Sequence, residues 1–419
     1  MKVVATFHFH SKYARATSKN MDLDGISAGM KVKGLDLAGT GDFTFPAWFE
    51  ELKKLEEIDN TGIFRYNDAH FMLTGEVSTT FEHENKIRRV HHVIQAPSLE
   101  IVGQINEALS KFGNLSSDGR PMLSMTAAEL VEVLMEISSD IVITSAHIWT
   151  PFFSVFGSKS GFNSVEECYQ DQTKHIFSLE TGLSSTPDMN WRLSSLDKFT
   201  LVSSCDSHSQ NPWRLGREAN VFELKKLTYN EIWDAVRKKD KSKFLYTIEV
   251  PPEYGKYHYT GHRNCGISLH PKEAMKVNNV CPKCRRGLTI GVMQRVDELA
   301  DRPEGYVPKD AIPFKSLLPL YEIISFVTKV NKLYSKKTLD EQNRLIDRFG
   351  TELNVLLDAS EEELREATKE EIAEAVIKVR GCKIQFEPGY DGVYGTPIFD
   401  ENYVRKEIVL PKQKSLKEF

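Results

Sequence analysis

The sequence predicts an α/β barrel with two smaller units behind it, and three observations carry that expectation. Seven short apolar or alternating runs (Val3–Phe9, Leu35–Leu37, His70–Val77, Arg89–Gln95, Asp140–Ser145, Ile176–Leu179 and Thr200–Ser203) fall in the first 225 residues, with helical patterns between them. A histidine or carboxylate stands at or near the end of most of these runs. Beyond residue 250 the pattern changes, first to a Cys/His cluster and then to amphipathic helices.

The helical patterns between the runs include Ala47–Ile58, Leu99–Phe112 and Thr126–Ser138. Strands alternating with helices indicate largely parallel pairing, and about seven such units suit a barrel better than an open three-layer sheet. We therefore expect residues 1–225 to form the barrel, 226–305 a linker and zinc-binding module, 306–410 a mainly helical domain and 411–419 a tail. In the helical part, Ser360-x-x-Glu363 and Thr368-x-x-Glu371 read as capping boxes.

At 419 residues the chain is too long for one ordinary core. Hydrophobic residues at 40% and charged residues at 27% describe a soluble globular protein, and there is no apolar run long enough to span a membrane. Because the start runs straight into a histidine motif with no signal-peptide core, we expect a cytoplasmic location. The net charge of −5 argues against a uniformly basic surface, though not against a local basic groove.

The candidate active site is an ordered series: His8-x-His10, Asp42, Glu76, His91-His92, His147 and Asp206-Ser207-His208. Strand residues two apart share a face, so His8 and His10 can reach one ion. Groups at strand C-terminal ends share one rim of a barrel, where catalytic residues gather. Adjacent strand residues face opposite sides, and of His91 and His92 we prefer His91. Mixed imidazole and carboxylate donors suit Zn²⁺, Mn²⁺ or Fe²⁺, and so many donors exceed one tetrahedral ion. Two ions about 3.5–4 Å apart clamp the attacking and leaving oxygens of a phosphoester.

Of six cysteines, Cys265, Cys281 and Cys284 cluster, and Cys168, Cys205 and Cys382 read as buried thiols. His262-x-x-Cys265 and Cys281-Pro-Lys-Cys284 match a structural zinc knuckle, with His270 as an alternative fourth ligand. A redox Cys-x-x-Cys would need a thioredoxin-like βαβ setting, which is absent.

The order of rim motifs resembles the PHP superfamily of phosphoesterases. That resemblance implies a distorted (β/α)7 barrel, with His8, His10, Glu76 and Asp206 on one ion and Glu76, His91 and His147 on a second, Glu76 bridging. It implies two catalytic divalent ions, Zn, Mn or Mg, with Asp42 and His208 as partial ligands of a third position. Here the second motif, Gly41-Asp42-Phe43, departs from the Thr-Asp-His of many relatives. Glu76, Asp206 and His208 are the candidate catalytic residues.

Further segments narrow the resemblance. Ser11-Lys12-Tyr13-Ala14-Arg15-Ala16, Gly39-Thr40-Gly41-Asp42-Phe43-Thr44, Glu180-Thr181-Gly182-Leu183-Ser184-Ser185, Leu215-Gly216-Arg217-Glu218-Ala219-Asn220, Gly261-His262-Arg263-Asn264-Cys265-Gly266 and Pro388-Gly389-Tyr390-Asp391-Gly392-Val393-Tyr394-Gly395 together look like the endonuclease Q family. The family likeness implies a DNA repair endonuclease. It would hydrolyse the bond 5′ to deaminated bases (uracil, hypoxanthine, xanthine) or abasic sites, using water activated by metal. The other readings are a small-molecule phosphatase on the same fold and a non-enzymatic DNA-binding protein with a relict site. Lys12, Arg15, Lys19, Arg214 and Arg217 are candidate DNA contacts, and the loop Trp149–Phe153 is a candidate base-stacking element. Gln413, Leu416 and Phe419 have the spacing of a motif that binds the sliding clamp PCNA, expected as a partner beside lesion-bearing DNA.

Overall fold

A computed structural model describes residues 1–330, 335–400 and 403. Among them, strands Lys2–Thr6 (β1), Leu37–Gly39 (β2), Ala69–His83 (β3), Lys86–Ala96 (β4), Val142–Ser145 (β5), Ser178–Glu180 (β6) and Thr200–Val202 (β7) lie side by side in chain order. The ring closes where the chain beyond β7 meets the chain beyond β1. Phe9 bridges Ser207 in parallel, and the His10 N–H donates to the Ser207 carbonyl at 2.9 Å. The seven strands curl into the expected distorted barrel, with β1 and β7 meeting only through this bridge beyond their ends.

The distortion has a local cause. β3 and β4 form a long hairpin whose two-residue turn, Glu84-Asn85, has φ of 51° and 59°. Left-handed conformation at both central residues matches the right-handed twist of the flanking strands. β4 therefore runs antiparallel to β3 and β5, while the other barrel pairs are parallel.

Beyond β7 the sheet grows outward from β1. Ala219–Glu223 (β8) pairs antiparallel with β1, Phe244–Glu249 (β9) with β8, and Phe314–Ser316 (β10) runs parallel to β9. A boundary at residue 225 therefore cuts through the sheet, because β1 offers hydrogen bonds on its free side.

Helices coat the outside of the barrel. Leu23–Lys33 starts at Asp22, whose carboxylate accepts the Gly25 N–H, and Ala127–Ile137 starts at a Thr126/Glu129 capping box. The helix expected at 47–58 stops at Leu52, because Glu56–Glu57 pairs with Phe64–Tyr66 across a turn at Asp59 and Asn60.

Helices Leu320–Val327, Lys336–Phe349, Glu352–Leu357, Glu361–Ala367 and Glu370–Arg380 form the helical region. Ser360 and Glu363 make the expected capping box. Thr368 does not: it ends the helix Glu361–Ala367, its hydroxyl donates to Glu341, and Lys369 takes the N-cap position of the next helix. A buried ion pair joins this region to the barrel, Lys33 Nζ to Glu352 Oε1 at 2.7 Å. Glu352 also accepts from the Leu320 N–H and Gln342 Nε2. Removing either charge would strand the other in the interior, a loss of about 3–5 kcal/mol. Among the described residues no helix is long and apolar enough to cross a membrane.

Candidate active site and Cys/His module

Glu76 stands at the centre of the barrel rim, buried and ringed by imidazoles. Its oxygens lie 2.7 Å from His91 Nδ1, 3.3 Å from His10 Nε2, 3.4 Å from His147 Nε2 and 3.5 Å from His8 Nε2. Asp206 Oδ1 lies 3.1 Å from His10 Nε2 and 3.7 Å from His8 Nε2. His208 completes the far edge, its ring 4.5 Å from that of His10. Two triads, His8–His10–Glu76 and Glu76–His91–His147, share Glu76, and a third, His10–Asp206–His208, shares His10.

Strand register explains which histidine takes part. Ser78 pairs with His91 and Val77 with His92, so Glu76, Ser78 and His91 face the rim. His92 turns outward, 2.9 Å from both the Thr79 hydroxyl and the Tyr169 hydroxyl. Burial brings His91 down to about 4 against the pull of Glu76. Burial would raise Glu76, but His91 and His8 overcome it and hold the carboxylate well below its usual range.

The residues fit a metal cluster on two counts. His8 Nε2 and both Glu76 oxygens are buried without a hydrogen-bond partner, a costly state that a cation resolves. In addition, Asp42, His147 and Asp206 hold φ of 47°, 29° and 42°, and non-glycine residues in that region cluster at functional sites.

A second ring orients the first. Asp42 was expected as a partial ligand, but its oxygens are already engaged. Oδ1 meets His10 Nδ1 at 2.9 Å, and Oδ2 accepts the Ser11 N–H at 2.6 Å and hydroxyl at 2.7 Å. It fixes the ring of His10 rather than facing the cluster. Glu180 does the same for His8, 2.9 Å from its Nδ1, and accepts the His147 N–H at 2.8 Å. The sequence reading missed Glu180 as a site residue, although it ends β6, much as His147 follows the end of β5. Carboxylate–imidazole pairs of this kind fix the tautomer and raise the basicity of a metal ligand.

The Cys/His module, the expected zinc site, is a hairpin, Thr260–His262 with Ile267–Leu269, followed by the helix Pro271–Lys276 and the Cys281–Cys284 turn. His262, Cys265, Cys281 and Cys284 converge, with His262 Nδ1 3.3 Å from Cys284 Sγ. His270 stays apart: it caps the helix Pro271–Lys276 and its Nδ1 accepts the Lys272 N–H. Burial opposes ionisation of Cys281, but the N–H groups of Cys284 and Lys283, together with His262, bring its thiol down to about 6. Cys168 and Cys205 are buried as expected, whereas Cys382, just past the last helix, is exposed.

Comparison with known proteins follows the same outline. Residues 319–383 match the MJ0043 C-terminal domain. Protein MJ0043 of Methanocaldococcus jannaschii is 31% identical over 274 residues, 64% of this chain and 34% of that protein, so the chain spans about a third of that relative's length. Protein YqxK of Bacillus subtilis is 28% identical over 94% of this chain and 98% of its own. The lesion-specific endonuclease PfuEndoQ of Pyrococcus furiosus superposes with a TM-score of 0.86 at 35% identity, covering 97% of this chain and 98% of that one. The chain belongs to the endonuclease Q family. A second endonuclease Q structure, a complex with a 27-mer duplex carrying an abasic lesion at the active site, matches with a TM-score of 0.86 at 36% identity, over 96% of this chain and 97% of that one.

Family membership directs attention to the basic residues near the rim. Arg15 and Lys19 are exposed, and Arg15 lines a cleft beside His91. Lys12 is half-committed, 3.0 Å from Glu51. Two candidates are corrected: Arg217 is buried, and Arg214 pairs with Glu322 of the helical region at 2.8 Å, so neither stands on an open surface. Trp149 is likewise spent on packing: it is buried, bonds Asn190 through Nε1 and stacks on Phe156. Phe153 remains at the cleft, its ring 4.8 Å from that of His91. Gln413, Leu416 and Phe419 lie outside the described residues.

Proposed function

We propose that this chain is a metal-dependent DNA repair endonuclease that incises at abasic sites and deaminated bases, cutting 5′ to the lesion to leave a 3′-hydroxyl and a 5′-phosphate. The observation that carries it is the Glu76-centred cluster of buried, partnerless donors at the rim of a chain whose full-length fold matches endonuclease Q. His8, His10, Glu76 and Asp206 would hold one divalent ion, Zn, Mn or Mg, and Glu76, His91 and His147 a second. Bound ions would activate water and offset charge on the phosphate.

The chain's own residues do the positioning. Asp42 and Glu180 hold the rings of His10 and His8 with their Nε2 atoms toward Glu76. The rim opens into a cleft rather than a closed pocket, which suits a polymer. A lesion leaves the duplex to be read, and abasic or deaminated positions are the easiest to unpair. The zinc module would hold one structural ion, and Gln413, Leu416 and Phe419 would tether the enzyme to PCNA in the cytoplasm, raising its local concentration on DNA.

The test is incubation with a uracil-containing duplex and with p-nitrophenyl phosphate, each with Mg²⁺ or Mn²⁺. Incision of the duplex 5′ to uracil with little phosphatase activity is expected. Rapid phosphatase turnover with intact DNA would move the reading to a small-molecule enzyme, and neither activity would favour a relict site.

A further inference from the structure

The cleft of about 460 Å³ beside His91 is lined by Arg15, Ser78, Arg120 and Phe153, among others. Arg120 belongs to no motif in the sequence reading, yet it reaches the rim. Its Nε lies 3.6 Å from Glu76 Oε2, too long for a strong hydrogen bond, and its side chain is 24% exposed. Among the described residues its guanidinium makes no other ion pair. An arginine next to a carboxylate already ringed by four imidazole nitrogens has donors to spare, and they face an open cleft.

The loop that carries it is anchored on both sides. The Gly119 N–H donates to the Tyr13 carbonyl at 3.3 Å, and the Ser78 N–H donates to the Pro121 carbonyl at 2.9 Å. Asp118 Oδ1 accepts the N–H groups of Arg120 at 3.1 Å and Arg15 at 3.4 Å. A Cβ on Gly119 would lie 2.5 Å from Asp42 Oδ2, so this backbone rests directly against the carboxylate that orients His10. Such anchoring sets a guanidinium at a fixed place next to the metal-ligand cluster instead of leaving it a mobile surface charge.

We propose that Arg120 is a catalytic residue that contacts the scissile phosphate, its guanidinium donating to a nonbridging oxygen as negative charge builds there. The planar fork of arginine matches a phosphoryl group, and it stays protonated throughout, giving up no proton. Preorganised donors aimed at developing charge act most strongly where water is partly excluded. The inference rests on the endonuclease reading above and adds a residue to it.

Two readouts test it. In the first, affinity for an abasic duplex is measured by fluorescence anisotropy without added metal, with an ordinary or a methylphosphonate linkage at the scissile position. Removing that phosphate's charge should weaken wild-type binding by about tenfold, the worth of a hydrogen bond to a charged group, and should barely affect Arg120→Gln. Equal losses in the two proteins would overturn the proposal. In the second, Arg120→Gln should lower kcat by about 10²–10³-fold with little change in KM or in bound metal. Arg120→Lys should fall between, and added guanidinium should partly restore Arg120→Ala.

Loss of catalytic metal from Arg120→Gln would instead make Arg120 a support for Glu76 and overturn the claim. Should Arg120→Gln melt early, Arg120→Met takes its place in both readouts, since it keeps an unbranched side chain and loses the charge. A wild-type chain that leaves the abasic duplex intact would fail the endonuclease reading itself. Wild-type incision matched by Arg120→Gln would overturn only the role of Arg120.

Discussion

The rim cluster draws its donors from positions between His8 and His208, brought together only when the barrel closes, whereas the zinc module takes all four of its own from His262 to Cys284. At the rim, His8 and His10 are each held by a carboxylate, Glu180 and Asp42, and buried atoms are left over. In the zinc module the four donors face one another around a single point, which suits a closed tetrahedral site. The contrast separates two uses of metal ligands. A local knuckle needs the ion to fold, while a long-range cluster is built by the fold and has capacity left for substrate.

That contrast can be broken by exchanging consequences. The largest effect is expected from Asp206→Ala, which removes a carboxylate beside His8 and His10. Incision should fall by at least about 10³-fold with the thermal midpoint little changed, as judged by gel assay and calorimetry together. A variant that loses its fold as well would make the rim a folding site.

Next come the orienting carboxylates. Asp42→Asn and Glu180→Gln keep shape and lose charge, and each should cost about 10–100-fold in activity or metal affinity. Metal titration of each variant checks this, and wild-type behaviour in both would make the second ring incidental.

Cys281→Ser should remove one zinc ion per chain, measured by elemental analysis, and lower the melting temperature of the protein. Its incision of an abasic duplex below that temperature should persist. Unchanged zinc content would break the assignment of His262, Cys265, Cys281 and Cys284.

A smaller effect concerns the buried pair Glu218 and Glu249 beneath the rim. Burial pushes Glu249 up to about 8, while the hydroxyls of Thr247, Thr181 and Ser203 bond it at 2.6, 2.9 and 3.1 Å. In the unfolded chain this carboxyl releases its proton near 4.5, but the folded chain keeps it to about 8, so stability contributed by the group is lost as pH rises across that window. Glu249→Gln should therefore flatten the fall in melting temperature between those limits. An unaltered slope would contradict the shift. Deleting residues 413–419 should leave basal incision unchanged while abolishing stimulation by PCNA, and surface plasmon resonance should show lost clamp affinity. Equal affinity with and without the tail would defeat the tether.

Much of this was legible in the sequence because strand ends and ligand spacing are local signals. His8-x-His10, Asp206-x-His208 and the two x2 pairs of the zinc module needed only periodicity to read. Glu180 was harder to find. A lone acid after a short strand becomes meaningful only when the barrel brings it beside His8. Asp42 was read as a ligand because sequence gives a residue's position along the chain and not the direction its oxygens take. Arg214 and Arg217 resembled phosphate contacts, but Glu322 of the helical region takes Arg214 and the fold buries Arg217. The antiparallel β4 depends on Glu84 and Asn85 adopting left-handed conformations, which neither residue announces as a glycine would. The barrel's extension through β8, β9 and β10 pairs residues as far apart as Thr247 and Phe314, a separation that periodicity does not register.

Glu76 is the donor that the triads His8–His10–Glu76 and Glu76–His91–His147 share. The most direct test of that role is a duplex with one abasic site, incubated with wild-type chain and with Glu76→Ala in Mg²⁺ or Mn²⁺, the products resolved to single nucleotides. A nick 5′ to the lesion from the wild type, and none above background from a folded Glu76→Ala that keeps its structural zinc, is the predicted result. The same nick at the wild-type rate from Glu76→Ala would contradict it.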